Sequence, residues 1–132
     1  MNYKKSKIYL TALVFALTAF SACKDDGPGE DPIVVKDQEI LEGQITTTKT
    51  LSSDKIYLLR GYVRVMAGAK IVIPAGTVIK GEKASKGALI IEKDGDIEAN
   101  GTASNPIVFT SDQAAGARNI GDWAGIDRKS VV

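Results

Sequence analysis

Two stretches decide the fold when laid over each other: Val65-Met-Ala-Gly-Ala-Lys-Ile-Val-Ile-Pro-Ala-Gly-Thr77 and Ile91-Glu-Lys-Asp-Gly-Asp-Ile-Glu-Ala-Asn-Gly-Thr102. Val65 to Ile91 and Ile71 to Ile97 are 26 residues apart, and Gly76 to Gly101 and Thr77 to Thr102 are 25 apart. Apolar positions fall on apolar ones (Val65 on Ile91, Ile71 on Ile97, Ile73 on Ala99), while Lys70 falls on Asp96 and Val72 on Glu98. Positions that repeat in kind face a shared interior, and positions that vary face water.

A period in the twenties marks a solenoid, whose units bury apolar surface only by stacking on their neighbours. The Leu and Asn ladder of a leucine-rich repeat is missing. The apolar segments are short: Val63-Arg-Val65, Ile71-Val-Ile73, Thr77-Val-Ile79, Leu89-Ile-Ile91, Ile97-Glu-Ala99 and Ile107-Val-Phe109. Each places two side chains on one face and one on the other. Glycines between them permit positive φ at turns. The expected fold is all-β: a right-handed parallel β-helix of about three coils over residues 45–126. Its expected core is Val63, Val65, Ile71, Ile73, Ile79, Leu89, Ile91, Ile97, Ile107 and Phe109.

The other end of the chain carries an address. Lys4, Lys5 and Lys7 precede an uncharged run from Ile8 to Phe20, the basic and apolar regions of an export signal. Thirteen residues fall short of the roughly 20 that span a bilayer. Cys23, the single cysteine, follows the small residues Ser21 and Ala22. Three readings stay open: cleavage nearby by an ordinary signal peptidase, a retained membrane anchor, and a lipoprotein signal with Cys23 acylated as the first mature residue. The step Ser21-Ala22-Cys23 resembles bacterial lipoprotein signals, with Phe20 where Leu is usual. That resemblance implies a signal-peptide helix over 1–22, a lipidated flexible tether over 23–44, and the lipid bilayer as a partner through Cys23. Lys24, Asp25 and Asp26 resemble the export tag of Bacteroidota-type surface lipoproteins, which implies the outer membrane and the cell surface. Gly27-Pro-Gly-Glu-Asp-Pro32 continues as a linker that nothing in its composition can pack.

Composition narrows the chemistry. From Cys23 onward there are 14 basic and 16 acidic residues, a net charge of −2. A basic footprint for nucleic acid is missing. With no histidine and one cysteine already assigned, zinc fingers, disulfide frameworks and His-dependent catalysis are excluded. The chain implies no cofactor, no metal and no catalytic residue. Asp96-x-Glu98-x-Asn100-Gly101 imitates half a calcium loop, but its twelfth position is Ile107 rather than a bidentate Glu. Gly81-Glu-Lys-Ala-Ser-Lys-Gly87 lacks the ending of a phosphate loop and reads as a polar turn between coils. Asn100-Gly-Thr102 forms a glycosylation sequon that also serves as the repeat's turn.

Ile73-Pro-Ala-Gly-Thr-Val-Ile-Lys-Gly81, Ala88-Leu-Ile-Ile-Glu92, Ala99-Asn-Gly-Thr-Ala-Ser-Asn-Pro-Ile-Val-Phe-Thr-Ser111 and Gly121-Asp-Trp-Ala-Gly-Ile126 resemble the opening coils of β-helix lipoproteins of Bacteroidota-type surfaces. Ala124 stands where that family usually has Gly. The architecture is also similar to that of pectate-lyase-like proteins and adhesins. Tyr57 and Tyr62 flank Arg60 and are candidate glycan contacts or a cap over the open first coil. Trp123 is a candidate glycan contact or a side chain packed over a coil turn. After Ile126 the pattern breaks into Asp127-Arg-Lys-Ser-Val-Val132, which matches the translation of a sequencing adapter. Residues 127–132 are therefore expected to be non-native and the β-helix to be truncated, with an uncapped last coil prone to self-association.

Two functions follow as expectations. One is a surface-anchored module that binds glycan or protein. The other is a polysaccharide-processing enzyme whose catalytic coils lie beyond residue 126.

Overall fold

The computed structural model describes residues 36–129. The expectations for 1–22, Cys23, Lys24, Asp25 and Asp26 lie outside the described residues. Among those described, nine strands and no helix form: β1 (Gln38–Ile45), β2 (Lys49–Thr50), β3 (Ile56–Val65), β4 (Lys70–Ile73), β5 (Val78–Gly81), β6 (Ala88–Ile91), β7 (Asp96–Ala99), β8 (Val108–Ser111) and β9 (Gly125–Arg128).

Every pairing is parallel. β5 stacks on the first half of β3 (Ile56↔Val78 to Leu59↔Gly81) and β6 on its second half (Tyr62↔Ala88 to Val65↔Ile91). β8 then stacks on β5, β9 on β6, and β2, β4 and β7 form a sheet of their own. The chain is thus a parallel β-helix with three faces, of which β1 and β3 each cover two. Joined parallel strands of this kind take the right-handed sense that strand twist imposes.

The register Lys70↔Asp96, Ile71↔Ile97, Val72↔Glu98 and Ile73↔Ala99 is the one the sequence overlay gives. The overlay of Gly76 on Gly101 and Thr77 on Thr102 is corrected. After β7 the connection lengthens, and Val78 stacks on Val108, 30 residues later. Gly76 N–H donates to Asn105 O at 3.0 Å instead, so the extra residues fold back across the turn.

The interior is aliphatic. Val63, Val65, Ile71, Ile73, Ile79, Leu89 and Ile91 are fully buried, while Ile97, Ile107 and Phe109 pack against them half-covered. Ile126, the inward residue of β9, is 45% exposed because no further coil covers it among the described residues. The core also extends further toward the N-terminus than expected, through Leu41, Ile45, Leu51, Tyr57 and Leu59. The first strand among the described residues starts at Gln38, so residues 38–44 belong to the first coil rather than to the tether.

The corners differ in length. Between the second and third faces they hold three or four residues in each of the first three coils, at 46–48, 66–69 and 92–95. Gly68 (φ 76°) and Asp94 (φ 64°) take the same left-handed step there, a conformation that glycine adopts freely and Asp tolerates. Between the first and second faces the first two coils turn inside continuous strands, at Gly43 and Gly61. The third coil there uses the six residues 82–87 and the fourth the thirteen residues 112–124. The loop at 82–87 therefore joins two strands of one coil and is not a turn between coils.

Candidate functional site

The two longest connections at that corner lie on each other, and the polar groups of the protein concentrate where they meet. Asp122 is 2% exposed. Its carboxylate accepts Asn119 N–H at 2.9 Å and Ser111 Oγ at 2.9 Å, and its other oxygen lies 3.1 Å from Lys83 Nζ. The Asn119 backbone donor, then the Lys83 ammonium and the Ser111 hydroxyl, hold its pKa down to about 2. Lys83 N–H donates to Asp112, Lys86 Nζ to Gly121 O, and Ala124 N–H to Gly87 O. One buried anion thus organises two loops whose own residues are mostly exposed.

Trp123, beside this anion, turns inward. A Cβ placed on Gly81 would meet Trp123 Cβ at 2.4 Å, so glycine at that inward position of β5 makes room for the tryptophan. Trp123 is half-buried against the core. It packs against Gly81 on a strand of the third coil rather than over a coil turn, with part of its side chain left exposed.

The two tyrosines separate. Tyr57 is 3% exposed, and its hydroxyl accepts Ser52 N–H at 2.8 Å. It is a core residue, which corrects its candidacy as a glycan contact: β3 runs straight through 56–59 with odd positions inward. Tyr62 is 57% exposed. It points outward just past Gly61, whose left-handed φ of 60° turns the strand onto the second face.

Sequence reasoning named Arg60 beside Tyr62 but not Arg64, Glu82, Ser85 or Glu92. The Arg64 guanidinium carbon stands 6.0 Å from the Tyr62 ring centroid, within cation–π range, and Arg64 is ion-paired with Glu92 of the next coil. Arg60, at the corner, pairs through Nε with Glu82 at 3.1 Å. Ser85 donates to Glu82 and accepts Gly61 N–H at 2.9 Å, locking the corner. The Ser85 hydrogen bond and the Arg60 charge lower the pKa of Glu82. At neutral pH Glu82 and Asp122 are therefore acceptors and not proton donors. The i, i+2 spacing of Arg60, Tyr62 and Arg64 along one strand was a readable signal, because alternate residues share a face.

Asp96 and Glu98 both turn to Lys70, at 3.1 and 3.6 Å, and Asn100 bonds Glu98. Their oxygens are engaged in a surface ion-pair ladder on the third face. Among the described residues no helix is long and apolar enough to cross a membrane.

No curated protein and no solved structure matches the chain. Residues 43–127, well over half of its length, match the family described as a pectate-lyase-like beta helix domain. The span runs from the Gly43 corner to β9 and contains every complete coil boundary described above. With parallel strands, three faces and a coil-to-coil register in agreement, the chain belongs to the pectate-lyase-like beta helix domain family.

Proposed function

We propose that this protein is a lipid-anchored surface module whose β-helix binds glycan. The observation that carries the binding half is Tyr62, a large aromatic held at 57% exposure on a parallel sheet with the Arg64 guanidinium beside its ring. An aromatic presented this way offers an apolar face with polar groups at its rim, the combination that recognises sugar rings. The anchoring half rests on the basic and apolar leader, the step Ser21-Ala22-Cys23 and the tag Lys24-Asp25-Asp26. Acyl chains on Cys23 contribute about 0.8 kcal/mol per buried methylene, and two or more give stable anchoring. Fourteen residues separate Cys23 from the first strand, enough chain to lift the domain off a membrane.

The test is expression of the full chain in an exporting bacterium fed labelled palmitate. Wild type should incorporate label, remain with the outer membrane and retain polysaccharide at the cell surface. Cys23→Ser should lose the label and the membrane fraction together. Label on both variants, or on neither, contradicts the anchor.

A second reading has one specific support, the family's likeness to pectate lyases. It makes the chain part of a polysaccharide-processing enzyme. Chain cleavage of a glycan by the purified protein, detected as new reducing ends, would replace the binding reading with this one.

A further inference from the structure

The outer part of the connection 112–124 is unlike its base. Residues 114–121 are all exposed, contain no acid and read Ala-Ala-Gly-Ala-Arg-Asn-Ile-Gly. Ile120 is 106% exposed, more than any other large apolar side chain among the described residues. Single exposed apolar residues are ordinary, but this run gathers three alanines and an isoleucine around one cation.

Two successive turns hold the run in place, each closed by a bond from its fourth residue to its first. Ala117 N–H donates to Ala114 O at 3.0 Å, and Asp122 N–H to Asn119 O at 3.2 Å. Gly116 (φ 85°) and Gly121 (φ 81°) occupy the third positions, where a type II turn requires a positive φ. Ala115 and Ile120 take the second positions, at the corners of the turns. The buried Asp122 carboxylate fixes the second turn from below through Asn119 N–H. Ile120 is thus presented to solvent by an ordered turn.

Charge at this corner is sorted by depth. Asp122 is buried and paired with Lys83, while Glu82, paired with Arg60, and Asp112, which accepts Lys83 N–H and the Gln113 side-chain amide, are half-covered. Two exposed cations remain. Arg118 donates to Gln113 O and Lys86 to Gly121 O, and neither meets a carboxylate among the described residues. The Lys86 bond sets its ammonium against the turn that carries Ile120, from a left-handed φ of 55° that a lysine seldom adopts.

We infer that this double turn is a membrane-contact tip, which sets Ile120 and its neighbouring alanines into the headgroup region of an anionic lipid surface while Arg118 and Lys86 meet the lipid phosphates. A protruding apolar turn encloses no small ligand, and a lipid surface is a partner that yields around a protrusion. Contacts of this kind strengthen with the apolar area buried and with each cation placed against anionic lipid. Neither glycan binding at Tyr62 nor acylation of Cys23 is required for it. In an anchored chain the tip becomes a second contact that fixes how the domain lies on the membrane.

The experiment tethers the purified full chain, through an N-terminal polyhistidine tag, to vesicles carrying nickel-chelating lipid, so that attachment depends on neither the tip nor Cys23. The vesicles are phosphatidylcholine alone or an equal mixture with phosphatidylglycerol, and hydroxyl-radical footprinting reads Ile120, with the exposed Ile40 of the first coil as control. Ile120 should be protected on the anionic vesicles only, and Ile40 should react equally on both. Removing one cation should weaken the contact about fivefold. Protection should therefore diminish in Arg118→Gln and vanish in the double variant Lys86→Gln, Arg118→Gln, whose Trp123 fluorescence should match wild type. High salt should release the wild-type tip in the same way. Ile120 as reactive on both vesicles as in solution overturns the tip. Equal protection on neutral and anionic vesicles overturns the anionic assignment. Protection on the surface of exporting cells but on neither vesicle overturns the lipid partner in favour of a surface protein.

Discussion

The corner between the second and third faces and the corner between the first and second faces are built from the same coil, yet they behave oppositely. The former holds three or four residues in each of the first three coils and repeats the same left-handed step at Gly68 and Asp94. The latter grows from a glycine bend to six residues and then thirteen. Insertions at a corner leave the strands stacked, because the added residues lie outside the ladder, and the one that turns inward, Trp123, is accommodated by glycine at position 81. One corner keeps the coils in register, and the other is free to carry recognition groups.

If that division holds, substitutions in the regular stack should be the most damaging. Leu89→Ala leaves a cavity between Val63 and Ile126 in the inward column and should cost about 2–5 kcal/mol in equilibrium unfolding. Ile107→Ala, half-covered at the last coil, should cost clearly less. Equal losses at the two would erase the contrast between buried and open coils.

The next effect comes from Gly81. Gly81→Val drives a side chain into Trp123 and should destabilise by about 1–3 kcal/mol as the indole is expelled. Tryptophan fluorescence should shift to the red in the folded variant.

Asp122→Ala should act locally. Loops 82–87 and 112–124 lose their common anion, so limited proteolysis should cut within 112–124 in the variant and not in wild type, with a smaller melting shift than Leu89→Ala. Acid should mimic it. The carboxyl of Asp122 has a folded pKa of about 2, below its unfolded value near 4. Its contribution is therefore complete above about pH 4 and is lost as pH falls toward 2. Glu82, Glu39 and Asp96, also lowered, lose their contributions as pH falls through the same acid range. The acid loss should be shallower in Asp122→Ala.

The smallest effect belongs to the ladder on the third face. Lys70→Ala removes two exposed ion pairs and should change stability by less than about 1 kcal/mol.

The sequence was readable where the coil is regular. Lys70 over Asp96 and Val65 over Ile91 could be paired without a structure because the turn between those strands has the same length in both coils. Thr77 over Thr102 failed because the 100–107 connection takes extra residues, and a fixed offset cannot see an insertion. The first coil escaped for a related reason: Gln38 pairs with Ile56 only 18 residues on, and Glu39 and Gly43 fall at the alternate positions that Leu41 and Ile45 share, interrupting the apolar pattern. Tyr57 and Tyr62 look alike in sequence, but they lie five residues apart on one strand, so alternation counted from the inward Val63 and Val65 puts Tyr57 inside and Tyr62 outside. Asp122 gave little signal, since its partners Ser111, Asn119 and Lys83 are brought to it by folding from three separate segments.

The central claim is that recognition lies on the second face beside the growing corner and that the third face is scaffold. Hydroxyl-radical footprinting of the full chain, with and without an oligosaccharide that it binds, tests this residue by residue. The account predicts protection at Tyr62, Arg64 and the 82–87 loop, with Lys70 and Glu98 unchanged. Protection centred on Lys70 and Glu98, with Tyr62 still fully reactive, would contradict it.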